Sequence, residues 1–208
     1  MAGSGGSDFA LASRDLGHAA DMATTGPVIS FTGLDNTAQS PAGTDGALYE
    51  DRCPAGYALI GFNFSATNEI DNDKPVCARP DLVPAVGGGW QAVWGPTVFL
   101  PYHGPAQTGD PGTQRLCPNG AFVRGFTGTS AVYLQSVLMI CSSIVVSADK
   151  KVTLSANGYS TTFGPSAGAN FGPYTCPANE VATMRRERQD TNIPAYAFGL
   201  ACSSIDVN

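Results

Sequence analysis

The sequence predicts an extracellular all-β protein built from three related, disulfide-closed units of antiparallel strands. Two observations lead there. Glycine (25 residues) and proline (15) punctuate the chain too densely for long helices, while 43% of residues are apolar, enough for a core. The six cysteines fall into a pattern that recurs three times, each copy carrying the same short runs of strand-forming residues.

The turns come first. Cys53-Pro54-Ala55-Gly56, Cys117-Pro118-Asn119-Gly120 and Cys176-Pro177-Ala178-Asn179 share the form Cys-Pro-x-Gly/Asn. Proline presets one turn residue, and Gly or Asn at the fourth position tolerates a left-handed backbone. One physical turn is therefore used three times. Each leads into an apolar run: Tyr57-Ala58-Leu59-Ile60-Gly61-Phe62, Ala121-Phe122-Val123-Arg124-Gly125-Phe126 and Glu180-Val181-Ala182-Thr183-Met184. Each unit then closes on a second cysteine inside a further apolar strand, at Val76-Cys77, Met139-Ile140-Cys141 and Leu200-Ala201-Cys202. The repeat predicts the pairs Cys53–Cys77, Cys117–Cys141 and Cys176–Cys202. Each closes a loop of roughly 25 residues, worth about 3 kcal/mol in a chain-entropy estimate. No Cys-x-x-Cys spacing offers a zinc site.

Another strand-rich stretch precedes each first cysteine: Val28-Ile29-Ser30-Phe31-Thr32, Trp90-Gln91-Ala92-Val93-Trp94, and Val152-Thr153-Leu154 with Tyr159-Ser160-Thr161-Thr162-Phe163. Each unit then holds about four short strands, which suggests one Greek key per unit. Three such sheets bury their apolar faces against one another, because none can do so alone. The expected organisation is a single domain over 28–208, with repeats at about 28–85, 90–148 and 152–208. Residues 1–27 read as a linker and N-terminal arm. Within that arm, 8–23 suggests a short helix capped by Asp8, with Phe9, Leu11, Ala12, Leu16, Ala19 and Ala20 as its apolar positions. The start of the chain lacks the basic-then-apolar pattern of a signal peptide. Even cysteine usage and scarce lysine (Lys74, Lys150, Lys151) suit an oxidising, extracellular compartment.

The order Trp-x-x-x-Trp-Gly, Cys-Pro-x-Gly, Gly-Phe and an apolar strand ending in Cys resembles vitelline membrane outer layer protein I. It is carried best by Trp90, Trp94, Gly95, Cys117, Pro118, Gly120, Gly125, Phe126 and the strand 134–141. The resemblance implies a β-prism, three Greek-key sheets about a pseudo-threefold axis, as also seen in jacalin-type lectins. Two departures stand out. The first unit lacks the tryptophans, and the third has Met184-Arg185 where the others have Gly61-Phe62 and Gly125-Phe126. The jacalin sugar-site pattern Gly-x-x-x-Asp occurs only at Gly17-His18-Ala19-Ala20-Asp21, before the repeats, and reads as chance. A β-trefoil is the competing threefold fold, but its units are usually shorter.

The net charge of −6 disfavours phosphate backbones and so nucleic-acid binding. No run of about 18 apolar residues predicts a membrane span. There are two histidines, His18 and His103, and no nucleophile elbow, metalloprotease helix, phosphate loop or dinucleotide fingerprint, so no enzyme and no cofactor is expected. The candidate ligand residues are Trp90 and Trp94, Tyr102 and His103, and Arg186 and Arg188. The tryptophans, four apart, share one face of a strand and offer either a sugar-stacking platform or, the favoured reading, core packing. Tyr102 and His103 sit in a proline-flanked loop. Arg186 and Arg188 share a face and present a grip for a carboxylate or a solvated edge. Asp71 and Asp73, in the acidic stretch 68–73, are weak candidates for Ca²⁺ in what reads as a solvated turn. Asn63-Phe64-Ser65 fits a glycosylation sequon.

These features favour a secreted, non-catalytic carbohydrate-binding protein whose partner is a glycan. The alternative is a structural component of an extracellular coat, fibre or matrix with protein partners. A glycan hydrolase is a third possibility, which needs two carboxylates facing each other across a cleft.

Overall fold

In the computed structural model the described residues are 26–37, 40, 45–66, 69–103, 113–118, 120–160, 162–165, 167–190 and 193–208. The helix expected over 8–23 lies outside them. Among them run twelve strands and no helix: β1 (Ile29–Asn36), β2 (Ala47–Arg52), β3 (Ala58–Ala66), β4 (Ile70–Pro84), β5 (Trp90–Phe99), β6 (Thr113–Leu116), β7 (Ala121–Ser130), β8 (Leu134–Val146), β9 (Val152–Tyr159), β10 (Ala169–Thr175), β11 (Glu180–Asp190) and β12 (Ile193–Val207).

They form three four-stranded antiparallel sheets. Sheet I has the order β1-β12-β11-β2. Sheet II has the order β5-β4-β3-β6, and sheet III the order β9-β8-β7-β10. The edge strand β5 of sheet II also pairs with the end of the inner strand β8 of sheet III through two residue pairs, Trp90 with Val146 and Gln91 with Val145. In sheets II and III three hairpin-linked strands are followed by a fourth that returns beside the first, the Greek-key order, and sheet I has the same spatial order with its strands drawn from two stretches of the chain. The expected architecture, a β-prism of three such sheets, is the one observed.

The phase differs from the expectation of one sheet per sequence repeat. Each repeat is divided between two sheets. Strands β1 and β2 join sheet I, while β3 and β4 found sheet II. Strands β5 and β6 complete sheet II, and β7 and β8 found sheet III. The last pair, β11 and β12, turns back to meet β1 and β2, so sheet I is assembled from both ends of the fold. Val28 and Asn208 exchange backbone hydrogen bonds of 3.1 and 3.0 Å at this seam.

The turns are as the sequence predicts. Gly56, Gly120 and Asn179 all take the left-handed conformation, with φ of 80°, 79° and 62°. The two Gly-Phe motifs also have a reason. A Cβ on Gly61 would run into the Arg115 carbonyl of β6, and one on Gly125 into the Tyr174 carbonyl of β10.

All three disulfides form as expected, with Cα separations of 5.9, 5.7 and 5.7 Å. Their placement explains the Cys-Pro turn. The Cys53 amide still bonds to Thr183 of sheet I, while its sulfur bonds to Cys77 of sheet II. Likewise Cys117 is held by Ile60 of sheet II and bridges to Cys141 of sheet III. Cys176 is held by Arg124 of sheet III and bridges to Cys202 of sheet I. Each disulfide therefore fastens the end of one sheet to an inner strand of the next, and the three complete a ring.

Two apolar clusters fill the space between the sheets. One gathers the disulfides with Leu59, Phe62, Phe64, Phe126 and Phe198. Phe198 meets Phe62 and Phe126 edge-on, with ring centroids 5.3 and 5.0 Å away. The other contains Ala58, Ile60, Val76, Ala92, Phe122, Ile144 and Val181. Because neighbouring strands are antiparallel, the β1–β2, β3–β4, β5–β6, β7–β8, β9–β10 and β11–β12 connections share one end of the prism. The Cys-Pro turns share the other.

A buried ionic cluster as the candidate functional site

The threefold repeat gives each core position two counterparts, and the candidate site lies where the counterparts disagree. Phe62 of β3 pairs with Pro75 and Arg115, and Phe126 of β7 pairs with Met139 and Tyr174. The same position of β11 is Arg185, paired with Leu200 and Asp51. Two residues along, Phe64 and Gly128 correspond to Glu187. On the neighbouring strands Val137 and Phe198 correspond to Asp73. The other copies thus place rings, an aliphatic chain or a glycine where β11 of sheet I and β4 of sheet II place charges.

Those charges meet. Arg185, Glu187 and Asp73 are each 0% exposed. The Arg185 guanidinium donates from Nη1 to Asp73 Oδ1 and Glu187 Oε2, and from Nη2 to Asp51 Oδ2. Asp51 carries the network outward. His103 Nε2 lies 3.1 Å from its Oδ1 and 3.0 Å from its Oδ2, and the two side chains keep 21% and 11% of their surface. The His103 ring stacks on Tyr49 at 4.0 Å between centroids. Its backbone is fixed by an isolated bridge to Asp73, equivalent to the bridge between Val137 and Phe163 in sheet III. Beside it Tyr102 is 42% exposed. Gln189, next on the same face of β11, donates to the Asp71 carbonyl.

One guanidinium serves three carboxylates here. Burial pushes the Glu187 carboxyl above the ordinary carboxylate range, against the opposing pull of Arg185. Three buried atoms, Asp73 Oδ2, Glu187 Oε1 and Arg185 Nε, have no hydrogen-bond partner among the described residues. Such orphans are costly in a low-dielectric interior. Together the groups form a polar column from the core to the connection-bearing end of the prism, capped by His103 and flanked by two tyrosines.

The structure places the sequence candidates as follows. Tyr102 and His103 lie at the mouth of this column. Asp73 is in its floor. The stretch expected to be a solvated acidic turn is strand from Ile70 onward, because Asp73 is drawn inside by Arg185. Asp71 stands beside it, and no group of three or more potential metal ligands occurs among the described residues. Trp90 and Trp94 share one face of β5, as their spacing predicts. That face is the core one: both pack on the second apolar cluster, and the Trp94 indole donates to the Ala121 carbonyl at 2.8 Å. Trp90 also borders a shallow cavity of about 450 Å³ with Leu82, Pro84, Lys150 and Asn208, remote from the column. Arg186 and Arg188 point to the opposite face of β11 from Arg185. Arg186 pairs with Glu50 at 2.8 Å, and Arg188 donates to the Gly46 carbonyl. The sequon asparagine, Asn63, lies within β3 between two paired strands, with its Oδ1 enclosed. The 17–21 pattern is outside the described residues.

Arg185, Glu187, Asp51 and Tyr49 were not among the sequence candidates. The signal for the first was present in the replacement of Gly-Phe by Met184-Arg185, which breaks the repeat at a core position.

No family model matches the chain, and no curated protein matches it. Among solved structures it is similar to a single-chain recombinant jacalin, with 14% identity over 83% of this chain and 97% of that one and a TM-score of 0.45. It is also similar to Calystegia sepium agglutinin, with 14% identity, 80% and 95% coverage and a TM-score of 0.39. A third is the Calsepa lectin in complex with a bisected glycan, with 15% identity, 81% and 97% coverage and a TM-score of 0.35.

Proposed function

We propose that the protein is a secreted, non-catalytic carbohydrate-binding protein that reads glycans at the His103 end of the prism. The observation that carries this reading is the replacement of two or three core side chains by the Arg185, Asp73 and Glu187 cluster at one of three equivalent places. Swapping a core aromatic for ions sacrifices stability, and rule-breaking of that kind is expected where a site is built. The column offers what a sugar requires. Asp51 and the His103 imidazole are polar groups held in fixed positions at the mouth. Tyr102 presents an exposed ring for the apolar face of a pyranose. Rigid sheets fastened by three disulfides supply the preorganisation, and loops on such scaffolds commonly bear sites. The resemblance of 90–144 to vitelline membrane outer layer protein I agrees with an extracellular, non-catalytic role. So does the burial of Glu187 and Asp73, which gives neither carboxyl a surface from which to reach a glycosidic oxygen.

Glycan-array screening of the folded chain beside Tyr102→Ala/His103→Ala tests this. A restricted set of bound glycans, with signal lost in the double variant, is the expected result. Silence across a broad array, or binding untouched by the double variant, refutes it. Light scattering addresses the coat or matrix alternative. A sugar-indifferent protein that forms stable oligomers would favour assembly.

A further inference from the structure

We infer that the protein holds a second site, under the first Cys-Pro turn, for a small aromatic carboxylate. It lies at the opposite end of the prism from His103 and stands independently of the carbohydrate-binding reading.

The repeat again supplies the comparison. Phe31 of β1, Trp94 of β5 and Leu154 of β9 are equivalent, each pairing with the residue three beyond an inner-strand cysteine: Ile205, Pro80 and Ile144. In sheet II the Trp94 indole reaches the turn that follows Cys117 and donates to the Ala121 carbonyl at 2.8 Å. The strand lies close to its turn there, since a Cβ on Gly120 would stand 2.8 Å from the Ala92 carbonyl. In sheet I the ring is the smaller Phe31, and a Cβ on Gly56 would meet nothing within 4 Å. Between Phe31 and the first turn lies a cavity of about 480 Å³, whose walls include Arg52, Gly56, Tyr57 and Thr183. Tyr57 is the counterpart of Ala121. Where sheet II packs an indole, sheet I thus keeps a space that accepts a ring from outside.

Size, ring and charge set the ligand class. The volume is in the range of small-molecule sites and accommodates a two-ring system. Phe31 and Tyr57 are half-buried aromatic walls, packed on different apolar clusters and so held in place for stacking or edge-on contact. Arg52 stands where the other repeats have Leu116 and Thr175. It is exposed and takes part in no ion pair among the described residues. Arg79, in the adjoining cavity beyond Gly56, is committed to Asp81 at 3.0 Å. No Asp or Glu lines the cavity, so a carboxylate meets the Arg52 fork without a like charge in the walls.

Calorimetric titration of the full chain with indole-3-propionate, 3-ethylindole and tryptamine tests this, because one ring system then carries a carboxylate, no charge or an ammonium. Indole-3-propionate should bind tightest, about tenfold over 3-ethylindole, with no measurable tryptamine binding. Arg52→Gln should weaken indole-3-propionate by about tenfold, to the level of 3-ethylindole. Phe31→Trp rebuilds the sheet II arrangement and should abolish binding of both while the melting temperature stays at or above that of the native protein. Arg52→Gln decides the matter alone where Phe31→Trp fails to fold. No binding of indole-3-propionate by native protein, tryptamine binding as tightly, an unchanged affinity in Arg52→Gln, or undiminished binding in folded Phe31→Trp would each overturn the inference.

Discussion

The core position occupied by Phe62 in sheet II and Phe126 in sheet III is occupied by Arg185 in sheet I, and the contrast shows what one fold can hold at one place. The two phenylalanines converge on Phe198, whose ring centroid is 5.3 and 5.0 Å from theirs, and need no partner beyond close packing. Arg185 needs Asp73, Glu187 and Asp51, contributed by three strands of two sheets, and still leaves its Nε without a partner among the described residues. An apolar residue is satisfied by volume. A buried ion is satisfied only by a matched set of counterparts, and that set is the part of the molecule most open to functional use.

The largest effect is expected from breaking the ionic side. Arg185→Ala strands three carboxylates and should cost about 3–5 kcal/mol in urea unfolding, as much as Phe126→Ala. Replacing the ions by apolar residues, Arg185→Phe, Asp73→Val and Glu187→Leu together, should come within about 1 kcal/mol of the native protein, or exceed it, while abolishing the proposed glycan binding. A triple variant as unstable as Arg185→Ala would show that the cluster holds the fold rather than serving a site.

Next in size, Cys117→Ala/Cys141→Ala removes one fastening of the ring and should cost about 3 kcal/mol, measured against the same unfolding curve. A smaller effect tests the electrostatics. Burial raises the Glu187 pKa, so the folded state binds that proton more tightly than the unfolded chain, whose carboxyl titrates near about 4.3. Its contribution is fully present below that value and is lost as pH rises through the elevated native pKa. Glu187→Gln should therefore gain stability relative to native as pH increases from about 4.3, and thermal melts across that range would show the two curves diverging. Smallest of all, Arg186→Ala, which loses only the partly exposed pair with Glu50, should change stability by less than about 0.5 kcal/mol and leave glycan binding intact.

What was legible in the sequence was whatever depends on local chemistry. The Cys-Pro-x-Gly/Asn turn demands a left-handed residue, and Gly56, Gly120 and Asn179 provide it. The intra-repeat disulfides followed from the same pattern. The phase of the sheets was not legible, because strand exchange between neighbouring repeats leaves the composition of each repeat unchanged. Only pairing partners such as β1 with β12 distinguish the arrangements. The buried arginine, Arg185, was not singled out. Charged residues are surface residues by default, so Arg186 and Arg188 drew the attention. Alignment of Arg185 with Phe62 and Phe126 carries the opposite message. Position within the repeat outranks residue type there, because the repeat fixes which side chains turn toward the core. Asp73 read as a solvated-turn residue and not a core one for the same reason, since its counterparts Val137 and Phe198 are recognisable only once β4, β8 and β12 are superposed.

Linear repeat proteins can shed an end unit and fray inward. Here every sheet borrows strands from two repeats and is bonded through sulfur to both neighbours, so there is no terminal unit to lose. Amide exchange should accordingly slow by a common factor in β3, β7 and β11, with all three opening only when the entire molecule does, as one indivisible event.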